Sequence, residues 1–166
     1  MEPTVNDAAG VVTVQDIMTR EVTTSSPDQP IAEAITLLSN QAISGMPVLD
    51  GTGELIGMVS EYDIISKRGK TVGDIMTRGV ISVPDDADAE QVAEIISMHG
   101  VRQVPVVKGG QLAGIVSRAD LVRLCASVRW TCDDCDMVER GFLRLERCPE
   151  CGGTNIHLDR DQAVDE

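Results

Sequence analysis

Aromatic residues are almost missing from this chain, with one Trp, one Tyr and one Phe in 166 positions. Its core must therefore close on Val, Ile, Leu, Met and Ala, which pack well without large rings. Basic residues are also few, 14 Lys and Arg against 27 Asp and Glu, for a formal net charge of −13. That balance opposes attraction to phosphate backbones, so nucleic acid is a disfavoured partner. No stretch approaches the ~20 apolar residues of a membrane span, and no basic segment followed by an apolar run opens the chain. Neither a membrane anchor nor a secretory leader is expected. The expected location is cytoplasmic, where thiols stay reduced and clustered cysteines serve metals more often than disulfides. The five cysteines therefore pose a metal question. Arg greatly outnumbers Lys, which fits a salt-rich habitat or a GC-rich genome equally well.

What the chain does have is a repeat. Thr13-Val14-Gln15-Asp16-Ile17-Met18-Thr19-Arg20 returns as Thr71-Val72-Gly73-Asp74-Ile75-Met76-Thr77-Arg78. The same register carries Val22 to Val80, Asp28 to Asp86 and Met46-Pro47-Val48 to Val104-Pro105-Val106. After one residue is lost in a turn, Leu55-Ile56-Gly57-Met58-Val59-Ser60-Glu61-Tyr62-Asp63 matches Leu112-Ala113-Gly114-Ile115-Val116-Ser117-Arg118-Ala119-Asp120. Internal repetition outranks other signals, because it defines the folding unit.

In each copy a short strand, Val22–Ser25 in the first, leads into a helix with an apolar face of Ile31, Ala34, Ile35 and Leu38. Val92, Ile95 and Ile96 are the second copy's equivalent. Two apolar runs follow, 46–49 and 55–59, separated by Asp50-Gly51-Thr52-Gly53, whose residues suit a hairpin turn. A second helix starts near Ser60. Each unit thus reads strand–helix–strand–strand–helix and is too small to bury its sheet alone. Pseudo-twofold packing of the two is the economical solution, giving an α/β (α+β) fold with a small appendage.

The D-I-M-T opening, the apolar-Pro-Val run, the G-h-V-S-x-x-D ending and the doubling resemble a tandem cystathionine β-synthase (CBS) domain pair. The resemblance covers roughly Val12 to Leu124. On it, residues 12–69 form the first CBS domain and 70–127 the second, preceded by a disordered 1–11. A metal ribbon at 128–158 and a disordered acidic tail at 159–166 complete the chain.

Ser60-x-x-Asp63 and Ser117-x-x-Asp120 have capping-box spacing, which alone accounts for them as helix starts contributing roughly 1 kcal/mol. The resemblance implies a second role, in which each aspartate accepts from ribose hydroxyls while the serine and helix start face phosphate. A helix start offers free amides and partial positive charge to an anion. By the family's geometry one cleft joins Ser117 and Asp120 to the Thr19 segment and to Ile43 and Ser44. The other joins Ser60 and Asp63 to the Thr77 segment and to Val101 and Arg102, with His99 close by. The implied ligand is an adenine nucleotide or a related adenosyl compound such as S-adenosylmethionine. Glu61 beside Ser60 opposes a triphosphate, whereas Arg118 follows Ser117, so tighter binding is expected at Ser117 and Asp120.

Cys132-x-x-Cys135 and Cys148-x-x-Cys151 supply two C-x2-C loops, the spacing of a tetrahedral four-thiolate site. Residues 137–147 read as the hairpin between them. The segment resembles zinc-ribbon and rubredoxin-like modules, and zinc and iron both accept four thiolates. Asp136 stands where rubredoxin-like loops carry glycine, which favours Zn2+ over Fe, and a redox disulfide pair is a third reading. Cys125 fits a helix core position, and His157 lies outside the ligand set.

No phosphate-binding Gly loop or nucleophile constellation is evident. The expected protein is a regulatory sensor and not an enzyme. Its CBS pair binds an adenosine-containing small molecule, and its ribbon is structural or docks an unidentified protein partner. The resemblance adds a homodimer. Two alternatives stand beside this, a rubredoxin-like electron-transfer protein with a CBS sensor and a nucleic-acid-associated zinc-ribbon regulator. Arg140, Arg144 and Arg147 are the residues that would serve the latter.

Overall fold

A computed structural model describes residues 11–160; of the segments expected to be disordered, 1–11 and 159–166, residues 1–10 and 161–166 lie outside the described residues. The chain forms two compact units that interleave its repeats. One gathers Thr19–Asp85 and Arg102–Ile115, and the other, among the described residues, 11–18, Asp86–Val101 and 116–160.

In the unit containing Thr19–Asp85, helix α2 (Ile31–Gln41) starts behind Pro30 and ends where Ala42 turns left-handed at φ 52°. Strand β1 (Gly45–Leu49) then pairs antiparallel with β2 (Leu55–Ser60), Gly45 opposite Ser60 and Met46 opposite Val59. Asp50 ties the intervening turn by accepting from the Thr52 amide at 2.8 Å and the Glu54 amide at 3.0 Å. Helix α3 (Glu61–Ser66) follows β2 directly. Ala34, Leu38, Met46, Val48, Val59, Val72, Ile75 and Met76 make its buried cluster, aliphatic as composition requires. Ile35 is the exception among the expected face residues, remaining 45% exposed. In an eleven-residue helix its position lies at the edge of the stripe, beside the fully buried Ala34.

The strand expected at Val22–Ser25 contracts to a single pair, Ser25 beside Val48 in parallel. The repeat register carries Ser25 to Val83 and Val48 to Val106. There β3 (Val83–Pro84) pairs parallel with β4 (Gln103–Lys108), which neighbours β5 (Gln111–Ser117). Pro84 cannot donate a hydrogen bond, which limits β3 to two residues.

In the other unit, helix α1 (Val14–Ile17) is fixed by Thr13, whose amide and hydroxyl both donate to Asp16 Oδ2 at 3.0 and 3.1 Å. In the first unit, α4 (Val72–Ile75) repeats the device with Thr71 and Asp74. The Asp of the repeated opening is thus a helix cap. Helix α5 (Ala89–His99) and helix α6 (Arg118–Ser127) pack with α1. α6 then passes without a loop into β6 (Val128–Cys132).

The C-terminal sheet has the order β7-β6-β8, with β7 (Val138–Arg140) and β8 (Ile156–Arg160) both antiparallel to β6. The hairpin expected within 137–147 is therefore replaced by one formed by β6 and β7 around the first cysteine loop. An internal hairpin would have left β6 unpaired, whereas this arrangement uses both its edges. β8 runs through Arg160, two residues into the stretch read as an acidic tail. Trp130 and Phe142, 6% and 7% exposed, are the buried aromatics among the described residues, and both belong to this sheet and its loops.

Candidate functional site

Strand β2 delivers Ser60 to the start of α3 in extended conformation, at φ −125°. Its hydroxyl accepts from the Asp63 amide at 3.3 Å, while Asp63 Oδ2 accepts from the Ser60 amide at 2.9 Å and its hydroxyl at 2.8 Å. The capping box expected from spacing is present, and Asp63 is buried. Thr77 reaches the same carboxylate because the stretch after α4 lies on β2. Met58 and Thr77 exchange backbone bonds at 2.9 and 2.8 Å, and the Thr77 hydroxyl donates to Asp63 Oδ1 at 3.2 Å. Gly57 permits this approach, since a Cβ there would lie 2.9 Å from the Thr77 carbonyl oxygen and 3.0 Å from Met76 Sδ. The glycine of the G-h-V-S-x-x-D ending is thus a spacer for the segment that carries Thr77.

Lys67, just past α3, places its ammonium 2.7 Å from Asp63 Oδ1. Burial works against the Asp63 carboxylate, but bonds from Lys67 and Ser60 and the Lys67 charge outweigh it and hold the group below its ordinary pKa. A carboxylate held in that state accepts hydrogen bonds at neutral pH and is poorly suited to shuttling protons. Farther along the segment that begins at Thr77, a cavity of about 250 Å3 opens between Leu55, Ile56, Gly79, Val80, Ser82 and Val107. That is smaller than a typical small-molecule site of about 300–1,000 Å3, so it suits a flat base and not a whole nucleotide.

Among the other expected residues of this unit, Arg102 pairs with Glu61 at 3.4 Å, both exposed. The charge that would oppose a phosphate beside Ser60 therefore has a cationic neighbour. The Ser44 carbonyl accepts from the Glu61 amide at 3.0 Å, and Ile43 packs half-buried against the core. Thr19 exchanges backbone bonds with Ile115 at 2.9 and 3.0 Å, repeating the Thr77–Met58 pattern.

In the other unit, Ser117 and Asp120 repeat the capping box. Asp120 Oδ2 accepts from the Ser117 amide at 2.7 Å and hydroxyl at 2.9 Å, and Oδ1 takes Arg123. Arg118 does not face this carboxylate. It donates to the carbonyls of Gly100 at 2.9 Å and Val101 at 3.1 Å, so the expectation of tighter binding beside Ser117 loses its stated cause. His99 ends α5 and is exposed, and Val101 is half-buried.

The four cysteines converge as their spacing requires. Cys132 and Cys151 sulfurs lie 3.7 Å apart, Cys135 and Cys148 sulfurs 3.6 Å, and all four lie within 4.8 Å of one another. A tetrahedron with metal–sulfur bonds of about 2.3 Å has edges of about 3.8 Å, so the donor set fits one four-thiolate ion. Both loops turn through left-handed residues after their second cysteine, Asp136 at φ 58° and Gly152 at φ 73°. Asp136 thus adopts the glycine-like conformation despite its side chain, which Asp tolerates better than most residues. The Asp136 amide donates to the Cys132 carbonyl at 3.0 Å and the Gly152 amide to the Cys148 carbonyl at 2.9 Å. The Met137 amide favours a Cys135 thiolate, but desolvation and the neighbouring sulfurs overcome it and push the thiol up to about 12. Amides of Cys151 and Glu150 help bring Cys148 down to about 7. Four thiolates cannot share this space without a cation. Cys125 is half-buried in α6, apart from the cluster, and His157 lies between Asp133 and Asp159 at 3.4 and 3.3 Å.

Among the described residues, no helix is long and apolar enough to cross a membrane. The sequence profile of the CBS domain matches residues 14–70 and 72–127. An inosine-5'-monophosphate dehydrogenase of Methanocaldococcus jannaschii is 29% identical over 126 residues, 74% of this chain, and the chain spans 25% of that enzyme's length. The solved structure of CBSX2 in complex with AMP is similar at a TM-score of 0.65 and 32% identity, covering 68% of this chain and 94% of that one. A CBS domain pair solved with 5-methylthioadenosine and S-adenosyl-L-methionine gives the same TM-score and identity over 69% of this chain and 95% of that one. With both repeats matched and the serine–aspartate ends built alike, the chain belongs to the CBS domain family, as a tandem pair of mixed α/β architecture.

Proposed function

We propose that this protein is a regulatory module whose CBS pair senses an adenosine-containing molecule. The observation that carries the reading is the constellation of Ser60, Asp63 and Thr77, with the cavity at Ile56 and Val80 farther along the Thr77 segment and a buried, ionised carboxylate whose Oδ1 a ribose diol would take over from Lys67 and Thr77. The helix start at Ser60, where Arg102 pairs with Glu61, suits an anionic group; His99 and Val101 belong to the other unit. Ser117 and Asp120 present the same capped carboxylate for a second molecule. Likeness to pairs solved with AMP and with S-adenosyl-L-methionine supports this ligand class. The response is a ligand-biased change in packing between domains or between copies of a homodimer.

Cys132, Cys135, Cys148 and Cys151 hold one zinc ion in this reading. Four thiolates leave no open coordination position for a catalytic water, so the metal's contribution is to fold the ribbon or present it to a protein partner. Exposure of Cys135 and Cys151 supports zinc over a redox iron, which would need shielding there.

Calorimetric titration of zinc-replete protein with AMP and S-adenosylmethionine tests the function. Saturable binding, diminished by Asp63→Ala or Asp120→Ala, is the expected result. No binding of any adenosine compound by folded protein would reduce both Ser-x-x-Asp segments to helix caps.

A further inference from the structure

The two Ser-x-x-Asp ends are not chemically equal, and the difference lies in Lys67. Asp63 has both carboxylate oxygens fully engaged. Oδ2 takes the Ser60 amide and hydroxyl, while Oδ1 takes the Lys67 ammonium at 2.7 Å and the Thr77 hydroxyl at 3.2 Å. A carboxylate has about four acceptor positions, so none remains for a ribose. Lys67 is itself held at several points. Its backbone amide donates to the Asp63 carbonyl at 3.0 Å, and its ammonium also reaches the Ile75 carbonyl at 3.0 Å and Thr77 Oγ1 at 3.5 Å. The three ammonium donors thus have three acceptors.

Asp120 differs. Its Oδ2 is capped in the same way, but among the described residues Oδ1 takes only Arg123, whose side chain is 72% exposed against 41% for Lys67. The repeat register puts the buried Leu124 where the first repeat has Lys67, so the second repeat lacks this ammonium.

On the reading that these ends bind adenosyl ligands, we propose that Lys67 determines specificity at Asp63, selecting phosphorylated over uncharged adenosyl ligands. A ribose diol can use Asp63 Oδ1 only by displacing the ammonium. An uncharged ligand leaves the ammonium only the neutral Ile75 carbonyl and Thr77 hydroxyl, whereas a phosphorylated ligand brings an anion of its own to replace the carboxylate. Asp120 carries no such requirement and takes uncharged or sulfonium ligands more readily.

The test uses the full zinc-replete chain carrying Asp120→Ala, so that only the first-repeat constellation remains, titrated with AMP and with adenosine. AMP should bind about tenfold more tightly than adenosine, the worth of one charge-assisted hydrogen bond. Adding Lys67→Met should tighten adenosine and bring the two ligands to near parity. A preference unchanged by Lys67→Met, or adenosine binding that weakens, overturns the proposal. A measurement without substitution at Lys67 guards against misfolding. The chain has three lysines, so side-chain 15N spectra resolve their ammonium signals, and AMP should shift that of Lys67. Saturation without such a shift overturns the proposal as well. If AMP binds the unsubstituted chain but neither Asp120→Ala form, the Lys67 proposal falls and the adenosyl reading stands. If no adenosine compound binds the unsubstituted chain, that reading falls first.

Discussion

Metal removal should unfold the ribbon, and the single Trp of the chain will report it. Trp130 lies two residues before Cys132 on β6, is 6% exposed and donates its indole N–H to the Leu143 carbonyl at 2.9 Å. The ribbon's apolar interior rests on Val128, Trp130 and Phe142. Side chains of that size contribute about 1.5–3 kcal/mol each when buried. A closed zinc site contributes about 10–16 kcal/mol, so the metal stabilises the ribbon more than its apolar packing does and its loss is decisive. Chelation should therefore shift Trp130 emission to the red while far-UV circular dichroism keeps the helical signal of the CBS pair. Proton linkage gives a second signature. Cys135 is pushed up to about 12 and Cys151 is raised, so both carry protons near neutrality and must lose them on coordination. Metal affinity should then climb with pH by about two decades or more per unit, as proton release requires. Competition against a colorimetric chelator between about pH 6.5 and 8 measures this. Unmoved Trp emission after complete metal removal, or an affinity flat in pH, would refute the reasoning.

Replacing Gly57 with Ala drives a Cβ to 2.9 Å from the Thr77 carbonyl oxygen, so it should cost about 1–3 kcal/mol in urea unfolding and weaken AMP binding by displacing Thr77. Asp136→Gly relieves a left-handed L-residue and should raise the ribbon's stability by about 0.5–1 kcal/mol, whereas Asp136→Val should lower it; chelator midpoints followed by Trp130 emission separate the two. The Asp63 pKa is lower folded than unfolded, so its stabilisation is fully present above the unfolded value of about 3.9 and disappears as pH falls through the folded one. Wild type and Asp63→Asn should thus differ in denaturation midpoint by a constant amount above about pH 5 and converge under stronger acid, and parallel curves down to about pH 2 would contradict this.

The repeat, the serine–aspartate caps and the four-thiolate cluster were legible because each is a fixed local spacing with one geometric consequence. Thr13-x-x-Asp16 and Thr71-x-x-Asp74 have that same spacing and could have been identified as caps by the same rule. The pairing of β6 with β8 joins residues far apart in sequence, and no local pattern announces it. Val22–Ser25 has strand-like composition, yet only Ser25 meets a partner, since extended residues become a strand only where another backbone is in reach. No local spacing singles out Lys67. Its significance depends on where Ile75 and Thr77 return, which is a tertiary fact. Arg118 illustrates the converse, a charge beside Ser117 whose guanidinium turns instead to the carbonyls that end α5.

The interleaving of the compact units bears on how the chain is made. One unit draws only on Thr19–Asp85 and Arg102–Ile115, whereas the other joins the described residues before Thr19 to Asp86–Val101 and to the described residues from Val116. Synthesis proceeds from the N-terminus at about 5–20 residues per second. The first unit can therefore close while the ribosome is still translating the cysteine ribbon, whereas α1, bonded early to Ala87 through the Val14 amide and packed on α5, gains its contacts with α6 only later. Truncations that stop before Arg118 should leave that early segment held by Ala87, Asp88 and α5 alone, recognisable by faster cleavage in limited proteolysis than in the full chain.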